Sequence, residues 1–221
     1  MSTSFLSRLS ELPEAFTHTR LQQQFGWSLA QSNVYLARWK EKGLIKSAGP
    51  RAGVYFNLLK NPNSPEDRKI EAISHLYPSS TLSGASVLHA LGWSTQVPHF
   101  LHVATLKQRS FVKMDGVEWK PRSKADYLGW HAWQTQEGRP KETIYGLPSL
   151  CPILAIVDAW KYNDQWKPDA DDIDLPSEEE LCFKSAISFF KVKVPDDWLS
   201  AHPWMDEIQL PPKPKNRKFC P

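Results

Sequence analysis

Trp27-Ser28-Leu29-Ala30-Gln31-Ser32-Asn33-Val34-Tyr35-Leu36-Ala37-Arg38-Trp39-Lys40-Glu41-Lys42-Gly43-Leu44-Ile45-Lys46 is the stretch on which the fold turns. Trp27-Ser28 opens a helix from Leu29 to Lys42, and Gly43 closes it. Upstream, Thr17 is a suitable N-cap for a helix that ends at Phe25-Gly26, where glycine permits a left-handed terminal turn. A first helix over residues 4–12 places Phe5, Leu9 and Leu12 at helical spacing before Pro13 stops it. Downstream, Leu44-Ile45-Lys46 is strand-like, Gly49-Pro50-Arg51-Ala52-Gly53 turns the chain, and Val54 to Leu58 returns as a second strand. Three helices and a hairpin in this order predict a winged helix-turn-helix over residues 1–62.

At about 100° per residue, Ser28, Gln31, Tyr35, Arg38 and Lys42 fall in one narrow stripe of the third helix. Leu29, Asn33, Leu36 and Lys40 lie broadly opposite, with Ala30, Val34 and Ala37 beside them, so Asn33 is expected inside. The polar stripe has the chemistry of a DNA-reading surface. Gln can pair with adenine and Arg with guanine, while Ser and Tyr hydroxyls suit phosphates or base edges. Lys46 and Arg51 fall on the wing, within reach of the DNA backbone or minor groove. Residues 1–60 hold eight Lys/Arg against three Asp/Glu, a local charge of +5 inside a whole-chain charge of only +3. A basic front of this kind fits a nucleic-acid partner.

Asn61 to Pro65 is a compact turn-rich linker into a second unit, expected as a mixed α/β domain over residues 66–162. It begins with a helix from Glu66 to Leu76, then a short strand, Ser83 as a cap and a small helix closed by Gly92. Residues 97–105, 109–120 and 126–134 read as β-rich, with a hairpin turn at Asp115-Gly116, and Ile153 to Trp160 reads as a buried helix. Residues 163–180 hold eight acids and one lysine, and the stretch 163–177 reads as an exposed connector. An amphipathic helix over 178–190 and a basic Pro-rich tail from Pro211 complete a C-terminal extension, 163–221. The fold class expected is α+β, with helical extension.

The first unit carries Thr17-x-x-x-Leu21, Val34-x-Leu36-x-x-Trp39-x-x-x-Gly43-Leu44-Ile45 and Val54-Tyr55. The second carries Leu82-Ser83-Gly84-x-Ser86-x-Leu88-x-x-Leu91-Gly92, Thr95-Gln96-x-Pro98, Leu101 to Ala104 and Ile153-Leu154-Ala155-x-x-Asp158. Together these motifs resemble AbiEi-type antitoxins of type IV toxin–antitoxin, or abortive-infection, systems. Val87 stands where the family often has Ala, and beyond residue 165 the likeness stops. The resemblance implies an N-terminal domain that represses its own promoter, and a second domain that counters a nucleotidyltransferase-like toxin resembling AbiEii. In such systems the antitoxin need not form a stable complex with its toxin.

Catalytic patterns are incomplete. Glu118-x-Lys120 matches half of a PD-(D/E)xK nuclease site, but residues 96–114 contain no Asp or Glu to hold the metal from an earlier strand. His99 and His102 point to opposite faces if both lie on a strand. Ser83-Gly84-x-Ser86 lacks the Gly-x-Ser-x-Gly elbow, and Gly49 to Gly53 lacks the ending of a phosphate loop. No catalytic residue, cofactor or metal is therefore expected. Three cysteines without zinc spacing point to a reducing cytoplasm. No run approaches the roughly 18 apolar residues of a membrane span, and no secretory leader is read. A protein-interaction module built on the same winged domain is the alternative reading, and the sequence leaves monomer or dimer open.

Overall fold

The computed structural model describes residues 5–207, so the basic tail from Pro211 lies outside the described residues. The chain is mixed α and β with two sheets. It opens with α1 (Phe5–Glu11), β1 (Ala15–Thr17), α2 (His18–Phe25), α3 (Leu29–Glu41), β2 (Ile45–Ser47) and β3 (Val54–Asn57). It continues with α4 (Ser64–Asp67), α5 (Lys69–Leu76), β4 (Thr81–Leu82), α6 (Gly84–Ala90), β5 (Leu101–Leu106) and β6 (Val117–Arg122). The remainder is α7 (Lys124–Gln136), β7 (Glu142–Ile144), β8 (Leu147–Ser149), α8 (Pro152–Tyr162), α9 (Glu180–Phe190) and α10 (Asp196–Ala201). Among the described residues no helix is long and apolar enough to cross a membrane.

Two compact units interleave along the chain, where the sequence suggests consecutive segments. One takes the described residues up to Thr81 together with 103–122 and 143–148. The other takes 82–102, 123–142 and the described residues from Ser149 onward.

In the first unit, a core of Leu9, Leu12, Phe16, Leu21, Leu36, Trp39 and Ile45 joins all three N-terminal helices to the sheet. Each large side chain removed from water contributes about 1.5–3 kcal/mol. The sheet order is β1-β3-β2, with both pairings antiparallel. The hairpin of β2 and β3 is the one expected, while β1 is an unexpected third strand. Asn57 locks this sheet to α1. Its fully buried Nδ2 donates to the carbonyls of Leu9 at 2.9 Å and Leu12 at 3.3 Å, satisfying groups that a helix end leaves open. Gly49 leads into the hairpin turn under a different constraint. A Cβ there would stand 2.4 Å from the Lys113 carbonyl oxygen, so only glycine fits against that segment.

Three expectations for later segments change. Residues 126–134 are not a strand but the body of α7. A capping box starts it: Ser123 Oγ accepts from the Asp126 N–H, and the Asp126 carboxylate accepts from the Ser123 N–H at 2.8 Å. Asp126, Trp130, Trp133 and Gln134 are then buried at helical spacing. Residues 109–114 form no strand either. They lead to the Asp115-Gly116 turn, and β6 starts only at Val117, beside β5 in the sheet order β6-β5-β4-β8-β7. The third change is the acidic stretch 163–177, which is anchored in the second unit. Pro168, Ala170 and Ile173 are buried, Trp198 Nε1 donates to the Pro168 carbonyl at 2.9 Å, and the Asp174 N–H donates to the Trp93 carbonyl. Its apolar residues supply the anchor, and Asp169, Asp171 and Asp174 remain exposed. Two smaller shifts accompany these: the helix expected over 66–76 is broken at Arg68 into α4 and α5, and of 97–105 only the part from Leu101 is strand; α6, the buried helix α8 and the amphipathic α9 lie where they were expected.

Asp126 is the electrostatic centre of the second unit. Burial opposes its ionisation. Against that, Lys161 Nζ donates to it at 2.7 Å, and the Ser123 and Tyr162 hydroxyls also donate, holding the carboxyl well below the usual carboxylate range. A depressed native pKa means the stabilisation is present above the unfolded value near 4 and lost as pH falls below it. We expect Asp126→Asn to unfold at lower urea than wild type at pH 7, and the gap to shrink as pH drops below about 4. A constant gap from pH 7 to pH 2 in urea titrations refutes this role.

Candidate nucleic-acid interface

Local chemistry builds the helix pair that the sequence singled out. Thr17 Oγ1 accepts from the Arg20 N–H at 3.0 Å and starts α2, and Gly26, at φ +64, ends it with its N–H donating to the Gln22 carbonyl. Two residues later Ser28 starts α3. Its hydroxyl accepts from the Gln31 N–H at 3.2 Å, while the Gln31 amide oxygen accepts from the Ser28 N–H at 3.0 Å. This reciprocal box occupies two of the residues expected to contact DNA.

Tyr35, a third member of the predicted stripe, is also engaged inside the protein. Its ring stacks on Trp27 with centroids 4.1 Å apart and lies 6.0 Å from Phe5. Arg8 donates to its hydroxyl and sits 5.3 Å and 5.2 Å from the Trp27 and Tyr35 centroids. The remaining predicted contacts are solvent-facing charges. Arg38 and Lys42 are exposed on the last turns of α3, Lys46 projects from β2, and Arg51 occupies the hairpin turn at φ +58. Lys40, which the wheel placed inward, is exposed too, with Nζ 5.0 Å from the Tyr55 ring.

The buried side of α3 is Ser32, Leu36 and Trp39, and Asn33 is exposed. The expected inner face is thus rotated. Leu29 is 59% exposed and Val34 48%, so the wheel centred on them faces solvent. The signal that would have corrected the phase is Trp39, the largest apolar side chain in the helix and fully buried. Half a turn from Ser32, Leu36 and Trp39 lie Ala30, Val34 and Ala37, a strip of small side chains flanked by Asn33 and Lys40 on one edge and Arg38 on the other.

Other candidate chemistry does not assemble. Glu118 and Lys120 sit on β6 and pair with each other, Nζ donating to Oε1 at 2.6 Å. Among the described residues no group of three or more His, Cys, Asp or Glu could hold a metal ion. Ser83 stands at the N-cap position of α6, yet its hydroxyl makes no capping bond; its N–H donates to the His102 carbonyl, which holds the backbone to the strand. Burial pushes the Cys151 thiol up to about 11, so it is a poor nucleophile at neutral pH.

By fold, the chain is an α+β protein with a three-stranded and a five-stranded sheet. It is similar in structure to the RV2827C protein from Mycobacterium tuberculosis, with a TM-score of 0.52 and 16% identity over 93% of this chain and 75% of that chain. At that identity the likeness is one of fold. No protein-family model matches the sequence, and no curated protein matches it.

Because Ser28 caps α3, we expect Ser28→Ala to lower the unfolding free energy by about 1 kcal/mol, and Ser28→Asp to restore it. Urea denaturation followed by tryptophan fluorescence checks this. Equal midpoints for wild type and Ser28→Ala contradict the capping role.

Proposed function

We propose that the protein is a DNA-binding transcriptional repressor, with the residues up to Asn57 acting as a winged helix-turn-helix. In this reading α3 enters the major groove, and Lys46 and Arg51 on the β2–β3 hairpin contact the backbone beside it. The observation that carries it is the arrangement of α1 to α3 on the β1-β3-β2 sheet, with Arg38, Lys40, Lys42, Lys46 and Arg51 all exposed on α3 and the hairpin. A surface of this charge attracts phosphates and displaces their counterions. The antitoxin-like motifs extend the proposal. The DNA would be the promoter of the protein's own operon, the setting the cytoplasm, and the second activity neutralisation of a nucleotidyltransferase-like toxin, directly or indirectly. Ser28, Gln31 and Tyr35 keep their place at the interface as supports of α3 that position the charged residues.

Gel-shift titration against the DNA upstream of the protein's own reading frame tests the central claim. Affinity should fall steeply with salt. Arg38→Ala should cost about 1–3 kcal/mol, and Lys46→Ala should weaken binding across sequences and reduce the salt slope by about 1. Binding that ignores salt, or that survives Arg38→Ala unchanged, refutes the assignment. The toxin arm has its own readout. Co-expression with an adjacent nucleotidyltransferase-like gene should relieve growth arrest, and persistent arrest argues against antitoxin activity.

A further inference from the structure

The outward strip of α3 has an unusual composition for a surface that hydrogen-bonds to bases. Ala30, Val34 and Ala37 point away from the buried Ser32, Leu36 and Trp39, and none can donate or accept a side-chain hydrogen bond. Val34 is 48% exposed although α3 is otherwise well packed on its inner side. Gln31, beyond Arg38 on that edge, has its oxygen committed to the Ser28 N–H. What this strip can recognise is shape and apolar surface. In the major groove one base alone offers an apolar group, the C5 methyl of thymine. The alanines at 30 and 37 keep the helix surface low on either side of Val34, so the backbone can approach closely.

The rim of the strip favours DNA over an apolar protein partner. Arg38 and Lys40 stand on its two edges, Lys42 follows at the helix end, and all are exposed. An apolar line edged by cations complements a groove whose floor carries methyls and whose walls carry phosphates. Asn33, also exposed, adds an amide able to pair with adenine N6 and N7, the partner base of thymine. Glu41 closes the strip in the last turn, at the opposite end from the N-terminal turns that usually meet base edges.

We propose that α3 selects T·A-rich steps by seating Val34, with Ala30 and Ala37 beside it, against thymine methyl groups, while Asn33 reads the paired adenine. This rests on the reading of α3 as the DNA-contacting helix. It adds the base class that helix prefers and residues outside the polar stripe.

The test uses the full chain and a pool of random-sequence duplexes at low, fixed salt. The enriched duplex should be rich in T·A steps at its core. Resynthesis with deoxyuridine for thymidine removes only the methyls, and should weaken binding about fourfold for each methyl in contact. Val34→Ser, an exposed change whose folding is checked by thermal melting, should narrow the difference between the thymidine and deoxyuridine duplexes by about fourfold, the share of one methyl. Salt-dependent binding with no loss on deoxyuridine substitution, or an enriched core of G·C pairs, overturns the methyl-reading proposal and leaves the DNA-binding reading standing. Failure to enrich any duplex, with no salt-dependent binding, overturns both.

Discussion

The burial of one indole determines what α3 shows to the outside. Trp39 is fully enclosed among Phe5, Trp27 and Tyr35, and its Nε1 donates to the Phe5 carbonyl at 3.4 Å. Removing a tryptophan from such a site costs about 3–5 kcal/mol, whereas turning an exposed arginine or leucine to one side or the other costs far less. The helix therefore rotates to satisfy Trp39, and everything else on it accepts the resulting direction. Leu29 and Val34 are left in water, Asn33 comes out, and Ser32 goes in with its hydroxyl donating to the Ser28 carbonyl at 3.0 Å. Arg8 extends the same cluster outward, because its guanidinium covers the Trp27 and Tyr35 rings and donates to the Tyr35 hydroxyl.

This hierarchy explains which parts of the fold were legible in the sequence. Thr17, Gly26 and Gly43 mark the ends of α2 and α3 with local chemistry, so the boundaries could be read without knowing the tertiary packing. The strand β1 carries no such mark. Ala15-Phe16-Thr17 is too short for an alternating pattern, and it is a strand only because β3 lies beside it. Residues 126–134 misled through composition: Tyr127, Trp130 and Trp133 suit a strand, but the Ser123-x-x-Asp126 box commits the backbone to a helix first. For the candidate interface, the charged members Arg38, Lys42, Lys46 and Arg51 were readable because exposure is the ordinary fate of a lysine or arginine. The polar members were not, since Ser, Gln and Tyr serve equally as caps and packing groups, and only the geometry separates those uses.

The second unit is held by a different kind of contact. Trp160, Phe183 and Trp198 form one aromatic group, with Trp160 and Trp198 edge to face at 4.9 Å. Around it the polar groups are cross-linked between distant segments: Lys161 with Asp126, Arg139 with Glu179, and Ser185 donating to Glu137 at 2.6 Å while accepting from Trp133 Nε1. Burial opposes the Arg139 charge, but the pairing with Glu179 outweighs it and raises the guanidinium pKa further. Acids and bases here tie α7, α8 and the approach to α9 together. Glu179, at the start of the segment expected as an amphipathic helix, thus supplies one partner of a structural ion pair.

The sheet pairings also set a timetable for synthesis. The three-stranded sheet closes between Ala15 and Asn57, so its strands can meet soon after they leave the ribosome. Leu82, by contrast, pairs with Ser149, which lies 67 residues later (149 less 82), and that parallel contact must wait for most of the chain. Pairing over such a separation carries a larger loop-closure cost and is slow to form. The local pairings of the three-stranded sheet can therefore form while the strands on which the larger sheet depends are still being made, and Leu82 is without its partner until Ser149 has emerged.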